Sequence, residues 1–237
     1  MSETQGDIHP DKKITRFWAA RALSAISEMR HSKKKGLFPK SEGWRNVPEH
    51  QLVEAEEGDV LAEKLGISYE KRKNLRTAAL LHDVSKREEI ERAREEGASG
   101  FDSSAEDQVN WIRSLGYSED VVELVQSVGH TSFEEFSRDF DTIPTVRKIM
   151  HYIDDITLGN KIVPLDERID YLQARPEYRD LNEAGKKIFN GRTYFEVQRE
   201  ISKRIEREFA PKLGVSDPSA IPEFIKSCIN ARIAQSG

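Results

Sequence analysis

The chain reads as all-α, a single helical core with additional helices at its N- and C-terminal ends. Three observations predict this. Apolar residues recur at helical spacing in one segment after another, period-two alternation is nearly absent, and Gly, Pro and Ser/Thr residues punctuate the segments as stops and caps. With 237 residues, the chain is long enough to bury a substantial core. Apolar residues make up 37% and charged residues 33%, polar for a globular protein but well above a disordered composition. A net charge of −5 gives no general reason to bind nucleic acid or an anionic membrane. The apolar runs are short, so no bilayer-spanning segment is expected, and MSETQGDIHPDKK lacks the apolar stretch of a secretory signal. Cys228 is the single cysteine, which excludes an internal disulfide and a cysteine-built zinc site; a cytoplasmic setting is expected.

In chain order, Ile14 to Arg30 has apolar residues at helical spacing and predicts a first helix. The following loop carries Lys33-Lys34-Lys35, either a solvated charged turn or a phosphate-contacting lid; together these form a segment over 1–40. Pro48 suits the first turn of a helix with Asn46 as cap, running to about Leu65 before Gly66. Ser68 caps the next, which ends in LRTAALLHDVSK, Leu75 to Lys86. The segment from Lys86 to Glu96 is highly charged and ends at Gly97. Ser103 with Glu106, and Thr131 with Glu134, have capping-box spacing, and between them Ser118 to Val128 forms a helix ending at Gly129-His130. Pro144 opens a helix from Thr145 to Leu158 that Gly159-Asn160 closes. Pro164 and Pro176 punctuate two more, Thr193 with Glu196 caps a long one to about Phe209, and Ile221 to Ala234 is the last.

Leu75–Lys86 organises the functional reading. At about 100° per residue, His82 shares the apolar face of Leu75, Ala78 and Ala79, and Asp83 lies a quarter turn away. A buried imidazole beside a carboxylate needs a partner, either a hydrogen bond or a metal ion. His50, at the start of its helix, and a later aspartate would complete a set of two histidines and two carboxylates. Mixed imidazole and carboxylate ligation suits Mn, Fe, Co or Ni and tolerates Mg. In PTVRKIMHYIDDITL the wheel places Asp154 at the edge of the buried face, with Asp155 and His151 toward solvent. Asp154 is therefore the expected ligand.

The ordered set of His50 in PEHQLVEAE, His82-Asp83 in AALLHDVSK and Asp154 in MHYIDDIT resembles the HD-domain superfamily of metal-dependent phosphohydrolases. Its nearest likeness within that superfamily is to HD-type hydrolases of diadenosine tetraphosphate and other nucleotides. The likeness covers roughly residues 45–160 and implies an HD domain over 41–175, with 176–237 a helical extension packed on it. It further implies hydrolysis of a phosphate ester or anhydride of a nucleotide or similar small compound, with one divalent metal held by His50, His82, Asp83 and Asp154. Binuclear members place two histidines between the dyad and the last aspartate. Here only His130 and His151 occur in that interval, and His151 faces the wrong way, so one ion is expected.

Lys86 is then a phosphate contact, and His130 a substrate contact or acid/base group unless it only serves a helix terminus. Glu54 orients His50 or activates water, unless it is a solvated helix carboxylate. Lys161 and Arg168 are expected mainly in surface salt bridges. The aromatic residues of the tail, from Tyr178 to Phe224, are expected to pack it onto the core, and the tail to set substrate choice or form a homodimer. The alternative reading is a non-catalytic helical module that senses a ligand or binds a partner. A di-iron oxygenase is disfavoured by the missing histidine.

Overall fold

The computed structural model describes residues 46–235; the helix expected at Ile14–Arg30, the lysine run and the side chain of Asn46 lie outside them. The described chain is all-α, with eleven α-helices and one two-stranded hairpin. Helices α1 (Asn46–Lys64) and α2 (Tyr69–Ala79) pack side by side, and α7 (Thr145–Asp155) lies against both. Val53, Leu61, Leu75, Ala78, Ile149 and Ile153 are completely buried where these three helices meet. These apolar faces hold the three metal-type segments together, because each helix has only one way to bury its stripe.

Helices α3 (Lys86–Glu96) and α4 (Ala98–Ser114) form a close pair. Gly97 turns the chain at φ +66°, and a Cβ on Gly100 would lie 2.6 Å from the Arg92 carbonyl oxygen, so α4 can approach α3 only with glycine there. This moves the helix start upstream of the expected Ser103 capping box; Ser103 instead sits inside α4 and donates to the Gly100 carbonyl. After α5 (Glu119–Gln126), His130–Ser132 is a 3₁₀ turn leading into α6 (Phe133–Asp139), which displaces the expected Thr131 cap. Ser68 does precede α2, without a side-chain capping bond.

A short hairpin follows α7, pairing β1 (Thr157–Leu158) with β2 (Lys161–Ile162) around Gly159-Asn160. Sequence reading ran the helix on to Leu158. Residues after it form α8 (Leu165–Gln173), a 3₁₀ turn at Pro176–Tyr178, α9 (Arg179–Ile188), α10 (Tyr194–Leu213) and α11 (Ile221–Gln235). The Thr193–Glu196 capping box is formed as expected: Glu196 N–H donates to Thr193 Oγ1 and Thr193 N–H to a Glu196 carboxylate oxygen. Helix α10 packs on α6, α7, α8 and α9, while α11 packs on α1. One continuous apolar core runs from Val53 to Ile229, so the tail is integral to the fold. None of the described helices is long and apolar enough to cross a membrane.

Candidate metal centre

Residues from three separate helical segments converge on one buried point. Helix α1 supplies His50 and, one turn later on the same face, Glu54; the turn after α2 supplies His82 and Asp83; α7 supplies Asp154. His50 Nε2 lies 2.7 Å from Glu54 Oε1, 3.4 Å from Asp154 Oδ1 and 3.9 Å from Asp83 Oδ2. His82 Nε2 lies 3.2 Å from Glu54 Oε2, 3.8 Å from Asp83 Oδ2 and 4.0 Å from Asp154 Oδ1. One ligand-type atom each from His50, Glu54, His82 and Asp154 falls within 4.8 Å of all the others, the only such group among the described residues.

The imidazoles are oriented by backbone carbonyls. His50 Nδ1 bonds to the Gly159 carbonyl at the hairpin tip (3.0 Å), and His82 Nδ1 to the Ala79 carbonyl in its own turn (2.8 Å). With Nδ1–H donating in each ring, Nε2 carries a lone pair and points at carboxylate oxygens. Lone pair against lone pair in a dry interior is repulsive unless a proton or a metal ion stands between them. The structure shows that unmet need directly. Both oxygens of Glu54 and the Nε2 of His82 are fully buried with no hydrogen-bond partner.

The electrostatics agree. Burial works against a charged His50, but the adjacent Glu54 carboxylate and the bond to Asp154 outweigh it and raise the imidazole to about 10. Burial opposes a charged His82 as well, and Glu54, Asp83 and Asp154 together still raise it. Burial raises Glu54, only partly countered by the two histidines. Asp154 is held well below the usual carboxylate range: burial pushes it up, but His50, Arg168 and His82 overcome that. Without a metal ion the cluster therefore retains protons. Two imidazole nitrogens with the Glu54 and Asp154 carboxylates form a donor set that a divalent cation fits.

The site opens on its aspartate side, where Asp83 and Asp154 side chains are 15% and 17% exposed while Glu54 is sealed. Lys86 Nζ lies 3.5 Å from Asp83 Oδ1 and 2.9 Å from Glu89 Oε1, and Arg168 Nη2 lies 3.4 Å from Asp154 Oδ1. These two cations stand where two cavities meet. An open cleft beyond them is lined by Arg94, Lys161 and Arg175, and on the other side lies a chamber walled by aromatic side chains. His130 lines that chamber, with its Nε2 2.7 Å from Asp102 Oδ1.

Several expectations are corrected here. Glu54 is not a solvated helix carboxylate; it belongs to the tightest four-atom group, with Asp83 slightly farther out. Arg168 is not a surface salt bridge: its side chain is 13% exposed and bonds both the carbonyl and the carboxylate of Asp154. Lys161 remains exposed, on the cleft wall. Asp155 and His151 do not face solvent; they are 1% and 2% exposed because α10 covers Asp155 while Ser127 and the Phe133 and Phe136 rings cover His151. Asp155 accepts hydrogen bonds from Gln198 Nε2 and Ser202 Oγ, and Tyr152 OH donates to Glu206. Gln198, Ser202 and Glu206 recur every four residues on α10, a polar stripe that matches the spacing of His151 and Asp155; this was the available signal. No protein-family model, curated protein or solved structure matches the chain.

Proposed function

We propose that the chain is a cytoplasmic, metal-dependent phosphohydrolase of the HD type, cleaving a phosphate ester or anhydride of a nucleotide or similar small phosphorylated compound. The observation that carries it is the sealed Glu54 carboxylate, whose oxygens face two imidazole nitrogens, behind a cleft that His50 and Asp83 line together with Lys86, Arg94, Lys161 and Arg168. His50, His82, Glu54 and Asp154, with Asp83 beside them, would hold one divalent ion. Their oxygen-rich donor set suits Mn, Fe, Co, Ni or Mg. When bound, such an ion supplies Lewis acidity toward water and a phosphoryl oxygen.

The remaining work falls to named side chains. Lys86 and Arg168 flank the two aspartates and bind phosphoryl oxygens, Arg168 through a planar fork and Lys86 as a point charge. His130, held by Asp102, is the group on the chamber side that delivers a proton to the leaving oxygen. Glu54 serves to hold the ion, not to transfer protons, since both of its oxygens face the imidazole nitrogens. The Asp155 pairing with Gln198 and Ser202 fixes the turn of α7 that presents Asp154.

The test is phosphate release from a panel of nucleotides and phosphate esters, with protein loaded separately with each metal. Turnover that disappears in His82→Ala supports the reading. A protein that binds metal but turns over no phosphate compound is instead the non-catalytic ligand-sensing module.

A further inference from the structure

His130 and Asp154 line the same chamber but come from different parts of the chain, His130 from the turn between α5 and α6 and Asp154 from α7. One side chain joins the two. Arg147, two turns before Asp154 on α7, reaches the chain on both sides of His130. Its Nε donates to Ser127 Oγ at 2.9 Å, three residues before His130. Its Nη1 and Nη2 donate to the Glu135 carboxylate at 2.8 and 2.6 Å, five residues after His130. A planar guanidinium makes these three bonds at once, which a point-charge ammonium does not. His151, one turn further along α7, holds the same spot. Its Nδ1–H donates to the Ser127 carbonyl at 3.0 Å, and its ring lies against Phe133 and Phe136. Ser132 Oγ donates to the Gly129 carbonyl at 2.9 Å and draws the intervening loop tight.

We propose that Arg147 is a positioning residue: by clamping Ser127 and Glu135 to α7, it fixes His130 relative to Asp154. The inference rests on the phosphohydrolase reading above and adds to it the element that sets the distance between the proton donor and the candidate metal centre. The other contacts of His130 do not set that distance. Asp102, which bonds its Nε2, is 68% exposed and therefore a loose anchor. Tyr194 and Phe101 meet the imidazole edge-on at 5.6 and 6.1 Å, which orients the ring without tying the loop to α7. Gly129, just before His130, stands at φ +88° with open space where a Cβ would point, so packing does not hold the backbone there. The clamp is shielded, with the Arg147 side chain 15% exposed and Ser127 fully buried, and shielding strengthens its bonds. Arg147 lines neither the chamber nor the cleft, so it acts through His130 and not on a substrate. Placement matters because a shift of about 1 Å in a reacting group can cost about 100-fold in rate.

The experiment uses full-length protein loaded with Mn²⁺ and two esters. The leaving group of p-nitrophenyl phosphate departs without a proton, whereas that of phenyl phosphate, a phenolate with a pKa of about 10, needs one. Arg147→Gln should lower kcat on phenyl phosphate by about tenfold to 100-fold with little change in KM, and leave p-nitrophenyl phosphate turnover within about twofold. Combined with His130→Ala, it should add no further loss on phenyl phosphate. Hydrogen exchange gives a readout that needs no turnover. The backbone amides of Ser127, Val128 and Ser132 should exchange about tenfold faster in Arg147→Gln, and those of Ile149 and Ile153 no faster. Ser127→Ala, which removes one anchor of the clamp, should act in the same direction and serves if the arginine variant does not fold. Equal losses on the two esters, a loss that adds to that of His130→Ala, or unchanged exchange overturns the clamp alone. An unaltered, metal-loaded protein that releases phosphate from neither ester and from no nucleotide overturns the phosphohydrolase reading and this role with it.

Discussion

Replacing Glu54 by Gln keeps the shape of the side chain and removes its charge, which makes it a sharp probe of the cluster. In the metal-free protein, the rise of His50 from 6.5 to about 10 corresponds to about 5 kcal/mol. Opposite unit charges 2.7 Å apart, at an effective dielectric of about 20, interact by about 6 kcal/mol, so the Glu54 contact is strong enough to account for most of it. Two effects on metal binding follow, and they oppose each other. A metal ion must displace the proton from His50, and His82 is raised as well, so the unaltered protein releases at least one proton per ion. Its affinity should therefore climb about tenfold or more per pH unit between neutral pH and about 9. Glu54→Gln relieves that competition but loses a charged ligand, a loss at least as large as the roughly 10–100-fold seen for groups that merely support ligands. The variant's affinity should be nearly flat with pH and about 100-fold weaker at pH 8.5, where proton competition masks least. Calorimetry with Mn²⁺ in buffers of different ionisation enthalpy gives affinity and proton release together. An unchanged slope and an affinity within a factor of about three of the starting protein would refute the role given to Glu54.

Three further outcomes follow from other contacts. Burial raises Glu206 to about 7, beyond what its bond from Tyr152 offsets. The folded state thus holds this proton more tightly than the unfolded one, and stability attributable to it is lost as pH rises from 4.5 through about 7. Glu206→Gln should stabilise the protein by about 1–2 kcal/mol at pH 8, after allowing for solvent screening, and give no gain at pH 4, read by urea unfolding. Arg232 reaches from α11 to Glu56 Oε1 at 2.7 Å and Asp59 Oδ2 at 3.0 Å, both on buried carboxylates of the helix that carries His50. Arg232→Ala leaves that charge undercompensated and should cost about 2–4 kcal/mol in the same assay; a loss too small to resolve would show the clamp to be unimportant. Arg94 and Lys161 line the cleft, so reversing both to Glu should weaken inorganic pyrophosphate binding about tenfold at low salt and less at high salt. Affinity independent of both the reversal and the salt would remove the cleft from the phosphate path.

Asp154 was readable because it sits in a helix whose apolar stripe sets its direction. His82 was readable because the turn after α2 keeps that helix's phase, with His82 N–H donating to the Ala78 carbonyl, and His50 from its position at a helix start and the ordered pattern. Glu54 was not. In VEAEEGD it looks like part of a solvated acidic run, and only the packing of α2 and α7 onto that face makes it a sealed carboxylate. Asp155 and His151 were misplaced for a related reason. A wheel marks polar residues as outward, whereas here Asp155 meets a second polar stripe, on α10, more than forty residues away in the chain, and His151 is enclosed by Phe133 and Phe136 with its Nδ1 on the Ser127 carbonyl. Arg168 has an ordinary surface-like sequence context, and its value comes from the hairpin that returns α8 toward Asp154. The two-residue strands are too short to carry a detectable alternation.

The claim beneath all of this is that the buried cluster of His50, Glu54, His82 and Asp154 binds a divalent metal ion, and metal content tests it most directly. Protein purified without chelator and equilibrated with Mn²⁺, Co²⁺, Ni²⁺ or Fe²⁺ should retain about one ion per chain by mass spectrometry of the dialysed sample. His82→Ala, still folded by circular dichroism, should retain none. A folded, unaltered protein that holds no divalent metal above background would contradict the account at its root.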